Sequence, residues 1–335
     1  MKTITIIGGG LAGLSLGIAL RKKGVPVIIQ EAGTYPRHRV CGEFINGVSE
    51  STLGNLGIAE LLCDSRKLQT TSWHLNEKPI FEGLLDEPAR GISRFELDQR
   101  LARRFEELGG QLLTRSRARR VPVDGLVWTA GRKPESQSRW IGLKVHVHNL
   151  KLRSELEMHL GSNGYVGLAP VERDRVNVCG LFERRDFRGP GISLLNDYLF
   201  ANGLEALQQR LEEVEHDPES FTGVSAFQLG QQQADEELCV LGDSESIIPP
   251  FTGNGMSMAF EAAETAVPPL VEFASGARRW DDCVQTIRRH ITGRFRVRLF
   301  TARILHPFLM GEPGRIVLLA GLKLGMFGPV ARLLK

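Results

Sequence analysis

Three glycines, Gly8, Gly10 and Gly13, followed by an acidic residue at Glu31, are the first residues here whose spacing implies chemistry. In the pattern G-x-G-x-x-G the first glycine permits a tight turn. The second lets the backbone approach a pyrophosphate, and the third lets a helix pack closely on a strand. The free N–H groups at the helix start, around Leu11, Ala12 and Gly13, would then face the anion. A carboxylate at Glu31 suits ribose hydroxyls and repels a 2′-phosphate. Alone, this spacing says dinucleotide, with a ligand-free glycine turn as the plain alternative.

A second stretch decides more. "LGDSESIIPPFTGNGMSMAFEAAETA" runs from Leu241 to Ala266. Asp243 opens a loop after a short apolar strand, Pro249 and Pro250 follow, and Gly253, Gly255 and Met256 begin a helix rich in small residues. This is a second place where backbone N–H groups face a ligand. An NAD dehydrogenase has no use for it so far down the chain. A flavin, whose ribitol and ring need their own cradle, does.

Other chemistry is thin. Cys41, Cys63, Cys179, Cys239 and Cys283 are widely spaced and odd in number, so neither a disulfide framework nor a zinc pattern is visible. The histidines show no metal spacing; His146, His148 and His159 are read as a solvated strand face, and Glu43 as exposed. A net charge of +3 over 335 residues gives no case for nucleic acid, and the basic run Arg288 to Arg298 reads as a solvated helix face. The chain opens on a strand pattern without a signal peptide, so a reducing, cytoplasmic setting is expected. "IVLLAGL" is too short to span a bilayer.

The elements that position these residues follow from periodicity. Thr3–Gly8 and Val25–Gln30 read as buried parallel strands, with a helix over Leu11–Lys23 between them. Arg94–Leu108 reads as a helix with Leu97, Leu101, Phe105 and Leu108 on one face. From Trp140 to Phe182 the period is two: Leu143, Val145 and Val147 alternate with Lys144, His146 and His148, which predicts half-buried antiparallel strands. The expected class is α/β. A Rossmann-like domain with a parallel sheet (residues 1–70, 92–135 and 235–282) is interrupted by a mixed or antiparallel sheet domain for substrate (71–91 and 136–234). A helical segment (283–335) ends the chain.

"GD…PPFTGNGMSMA" resembles the second FAD motif of the para-hydroxybenzoate hydroxylase superfamily, which includes aromatic-ring monooxygenases, flavin-dependent halogenases and geranylgeranyl reductases. The resemblance covers most of the chain. It implies that Asp243 holds the ribitol hydroxyls, that Pro249 and Pro250 line the isoalloxazine pocket, and that Gly253 to Met256 face the ring edge and phosphates. "ISRFELDQRL" resembles the helix that turns an Arg toward FAD, which points to Arg94. "PRHRVCGEF" resembles the arginine loop, which points to Arg39 with Arg37 as the alternative. Cys41 and Gly42 resemble the Cys-Gly pair of geranylgeranyl reductases, and Tyr165 and Pro170 match their substrate-domain strands. Ala130 departs from the pattern, standing where the superfamily has an aspartate, and this puts its mode of reduction by NADH or NADPH in question. The halogenase Trp-x-Trp-x-Ile-Pro motif is absent, and halogenation is set aside.

The resemblance implies a flavin oxidoreductase acting on a lipophilic or aromatic small molecule. Hydride transfer to a C=C bond is narrowly preferred over oxygen-dependent hydroxylation. A non-catalytic flavoprotein is the reading of another class. Candidate catalytic residues are Cys41, Pro249 and Pro250; Cys41 is either a proton donor or wall beside the flavin, or a small buried hydrophobe. "RIVLLAGLKLGMFGPVARLLK" either packs on its own domain or touches a membrane as an amphipathic helix. Substrate identity and oligomeric state are not encoded in these motifs.

Overall fold

The computed structural model describes residues 1–132, 138–225, 228–232, 238–310 and 314. The sequence-predicted C-terminal amphipathic segment lies outside the described residues.

The chain begins β1 (Ile4–Ile7), α1 (Leu11–Lys22), β2 (Val27–Gln30). Arg21 and Lys22 in the last turn of α1 suit the helix dipole. β3 (Phe44–Ile45), α2 (Glu50–Leu56), β4 (Arg66–Leu75) and β5 (Lys78–Gly91) follow. Next come α3 (Arg94–Glu107), β6 (Gln111–Leu113) and β7 (Leu126–Trp128). The middle of the chain is β8 (Trp140–His148), β9 (Leu156–Gly161), β10 (Gly164–Pro170) and β11 (Arg175–Glu183). It continues with α4 (Ile192–Phe200), α5 (Glu205–Glu212) and β12 (His216–Ser225). β13 (Gly230–Gln231), β14 (Cys239–Val240), β15 (Ser246–Ile247), α6 (Gly255–Ser275) and α7 (Trp280–Met310) complete it.

A parallel sheet runs β14–β7–β1–β2–β6. β1 sits centrally, and its isoleucines are buried, Ile4 and Ile6 in one core with residues of α1, α3 and α6. The apolar stripe of α3, Leu97, Leu101 and Phe105, packs into the same core as Leu14 and Ile18 of α1. Ser93 caps α3 through a hydrogen bond from the Glu96 N–H (3.1 Å). The carboxyl ends of β1, β7 and β14 therefore open onto one edge, where such sheets bind ligands.

The second sheet runs β12–β8–β11–β10–β9–β4–β5–β3, antiparallel except at β4–β9. Its alternation is as predicted on one face only. Leu143, Val145 and Val147 pack with Val178 and Leu168 against Leu195, Leu199, Leu207 and Leu211 of α4 and α5. The opposite face is covered too, where Lys144, His146 and Asn177 meet residues 38–44. His146 and Glu43 are thus fully buried, not solvated, and so is His159, on the helix side of β9. Within the basic run of α7, Arg298 is buried against Glu261, while Arg289 and Arg296 face solvent.

Candidate functional site

The glycine turn has the geometry its sequence implies. Gly8 takes φ +108°, and a Cβ there would lie 2.4 Å from the Thr129 carbonyl oxygen. A Cβ on Gly13 would lie 2.0 Å from the Gly8 carbonyl oxygen. Thr129 fixes the turn from β7, its hydroxyl donating to the carbonyls of Gly8 (2.6 Å) and Ile7 (3.1 Å). Gly10 is the N-cap of α1 and has no side-chain cap; the first turn carries no acidic residue, and space beside Gly10 is open. The first N–H groups of α1 thus keep their anion-binding capacity. Gly13→Ala should cost about 1–3 kcal/mol by overpacking and lower dinucleotide affinity. Urea unfolding and a binding titration check both.

Glu31 is buried, and its carboxylate is engaged within its own loop. One oxygen accepts from the Gly9 N–H (2.7 Å), the other from the Gly33 N–H (2.8 Å) and Arg37 (2.7 Å). Burial alone would raise its pKa, but Gly33, Arg37, Gly9 and Arg39 together hold it below the usual value. The Tyr35 hydroxyl donates to the Gly9 carbonyl (2.5 Å), locking the loop to the glycine turn. A ribose hydroxyl reaching Glu31 here would compete with Arg37.

The second motif meets the first. Gly242 abuts Ala12 at the start of α1, where a Cβ on Gly242 would sit 3.2 Å from that of Ala12. Asp243, on the adjacent turn, keeps an exposed surface. The protein packed around the rest of it raises its pKa by desolvation, opposed by Arg132, Arg94 and Arg39. Pro249 is buried and Pro250 exposed. α6 begins at Gly255 with no side-chain cap, and Met256 is buried behind it. Gly242 and Asp243 also line one cleft with Gly255, so the loop of the second motif touches both helix starts.

Arg39 and Arg94 converge on a residue that the sequence reading did not single out. Asp98 of α3 is fully buried and accepts from Arg94 (2.7 and 2.9 Å) and Arg39 (3.0 Å). The i, i+4 spacing of Arg94 and Asp98 was the available signal. Cys41 is half-buried beside Arg94. Burial raises its thiol pKa, with Arg94 opposing. This is not the setting of an activated thiolate.

Beneath Cys41 and Gly42 lies a buried charged layer. The Glu43 carboxylate accepts from the Arg94 N–H at the start of α3 (3.0 Å), faces Lys144 Nζ at 3.4 Å and pairs with His146 Nε2 at 2.5 Å. Lys144 Nζ also meets His38 Nδ1 at 3.1 Å. Burial lowers the Lys144 pKa, opposed by Glu43. Burial, then Lys144, push His38 down to about 4. Neutral His38 can therefore accept from the Lys144 ammonium. Asn177, beside His146 in register, donates to the Cys41 carbonyl (2.9 Å) and ties this layer to the loop.

An apolar wall stands next to it. Met158, Leu160, Tyr165 and Leu181 pack with Phe251 and with Leu309 of α7, and Trp140 joins their edge. The Phe251 N–H donates to the Tyr165 hydroxyl (3.0 Å), joining the proline loop to β10. Pro170, at the other end of β10, lies against Gly91. Among the described residues, two groups hold metal-ligating residue types, His38 with His146 and Asp217, and His74 with Glu157 and His159. Lys144, Glu43 and Arg210 already bind these side chains, so both are ion-paired networks in this structure.

Solved structures share this architecture. Klebsiella pneumoniae HpxO, complexed with FAD and uric acid, superposes with TM-score 0.78 and 14% identity over 99% of this chain and 96% of that one. The flavin-dependent brominase Bmp2 gives 0.75 and 18% over 99% and 93%. P. aeruginosa PqsL, in complex with 2-aminobenzoylacetate, gives 0.72 and 15% over 92% and 97%. No family model and no curated relative matches the chain. The likeness is one of fold: this chain shares the architecture of these proteins.

Proposed function

We propose that this chain is an FAD-dependent monooxygenase acting on an aromatic or quinoid small molecule. The observation carrying this reading is the meeting of the two glycine motifs: the Gly242–Asp243 loop touches two helix starts without side-chain caps, and the Arg39–Asp98–Arg94 group acts on Asp243. The donor set fits a pyrophosphate on α1, a ribitol at Asp243 and a ring edge at the start of α6. Bound FAD would supply two-electron redox chemistry and oxygen activation. NADH or NADPH is the proposed donor.

The protein's part is position and charge. Asp98 fixes the two arginines, so their positive field stays in place without reorganisation. The apolar wall from Tyr165 to Leu309 excludes water from the substrate side. Among the structural neighbours, Bmp2 is a flavin-dependent brominase and PqsL is described as a probable FAD-dependent monooxygenase, which favours oxygen chemistry over the hydride transfer to C=C bonds preferred from the Cys-Gly pair. The raised Cys41 pKa gives that preference no added support.

Purified protein should be yellow and release FAD on denaturation. With NADH or NADPH and an electron-rich phenol or quinol, product should appear only when oxygen is present. Equal product under anaerobic conditions would return the reductase reading. Failure to take up FAD would end both.

A further inference from the structure

One face of α7 is bare. Val297, Phe300 and Ile304 are 53%, 57% and 46% exposed, and their spacing puts them in a single stripe. Exposed Gly293 and Pro307 continue it in both directions. Arg289, Arg296 and Arg303 run beside the stripe at seven-residue intervals, all exposed and outside any ion pair among the described residues. Arg294 and Arg298, by contrast, turn toward Glu261. Single exposed hydrophobes are ordinary, but an apolar stripe rimmed by one sign of charge marks an interaction face.

The charge of the whole chain sharpens this. From Cys283 to Lys335 there are ten Lys and Arg and one acid, Glu312, a net of +9. The preceding 282 residues hold 32 basic and 38 acidic residues, a net of −6, which together give the overall +3. The near-neutral total conceals a basic end on an acidic body.

We propose that this face of α7 docks on an anionic lipid bilayer. The helix lies along the surface, with Val297, Phe300 and Ile304 at the boundary of headgroups and acyl chains and the arginine row on lipid phosphates. Charge selects this occupant. A second copy of the chain would bring the same arginines face to face. Residues 311–335 carry four basic residues and one acid, so they too would add like charge. Nucleic acid would neutralise the arginines and leave the stripe in water. An anionic bilayer answers both. The opposite side of the same helix contributes Leu305, Leu309 and Met310 to the cluster holding Tyr165 and Phe251, so docking brings that cluster within about one helix diameter of the membrane.

The test uses the full chain and sedimentation with vesicles of phosphatidylcholine alone or mixed with phosphatidylglycerol. Binding is expected on the mixed vesicles and should fall in high salt. Arg289→Gln/Arg296→Gln/Arg303→Gln should weaken it about a hundredfold. Val297→Ser/Phe300→Ser/Ile304→Ser should also weaken it, by at least about tenfold. All six positions are exposed, and unchanged thermal melts would show that both variants keep the fold. No binding to mixed vesicles overturns the proposal. So does binding that neither triple variant alters, which would place the contact elsewhere in the chain. A dimer in light scattering that the apolar triple converts to monomer assigns the face to a second copy and overturns it too.

Discussion

Glu43→Ala is expected to lower the unfolding free energy by about 3–5 kcal/mol, the usual cost of removing one partner from a buried ion pair. Glu43 and Lys144 are both fully buried, and the carboxylate is also the partner of His146 and of the Arg94 N–H. Without it, an ammonium remains in the protein interior with a neutral imidazole as its nearest acceptor. Glu43→Gln keeps shape and hydrogen-bonding capacity but not charge, and should cost less. The informative variant is Glu43→Ala/Lys144→Met. Removing both charges should recover part of the loss, because the desolvation penalty of each disappears with it. Urea unfolding followed by circular dichroism gives all three values. If Glu43→Ala falls within about 1 kcal/mol of wild type, the pair is open to water and the buried layer is not a structural element. FAD content, measured on the same preparations, should fall with Glu43→Ala, because the layer supports the Cys41–Gly42 loop and the start of α3.

That layer is also where sequence reading stopped. The glycine turns, α1, α3 and the parallel strands were legible because their signals are local: a spacing, a β-branched run, an apolar face. The alternation of β8 was legible as well, and its apolar half does lie in a core. The error was to give the polar half to water. That inference holds for a sheet covered on one side. Here α4 and α5 cover one face and residues 38–44 cover the other, so Lys144 and His146 lie between the sheet and that loop. Nothing within β8 records the arrival of Glu43 from a hundred residues earlier. Asp98 was hidden differently. It stands at i+4 from Arg94 like many surface pairs, and only its zero exposure and its second arginine, Arg39, set it apart.

The same burial predicts how the protein responds to acid. Between pH 6.5 and 4 it should lose on the order of 3–6 kcal/mol, a large part of the stability of an ordinary domain. His38, His74 and His306 are each held near 4, and burial is the leading cause in all three. In the unfolded chain they would take up protons below about 6.5, while the native state refuses them. The unfolded state then binds more protons, and stability falls as pH falls. His74 and His306 carry most of this, being 1% and 8% exposed; His38 is partly open and contributes less. His159 acts in the opposite sense. Burial would lower its pKa, but Glu157 and Glu77 on its two ring nitrogens raise it. Its contribution is therefore fully present below about 6.5 and is lost as pH rises through its folded value. Burial works to raise the Glu157 pKa, but His159, Arg210 and the Arg153 N–H bring it down to about 2. Glu157 thus stabilises the fold above about 4.5 and begins to give way only at the acid end of the window, with the same destabilising sign. Between pH 6.5 and 4 the His159 contribution is already complete and constant, so His38, His74 and His306 set the sign, which is destabilising. His306→Phe tests the assignment, since residue 306 packs between Trp140 and Phe251, where a ring without a titrating nitrogen is at home. Urea unfolding at pH 7, 5.5 and 4.5 should show a visibly shallower pH dependence for His306→Phe than for wild type, with the largest gain at the lowest pH. Parallel curves would mean that His306 is protonated in the native state and that the acid sensitivity has another source.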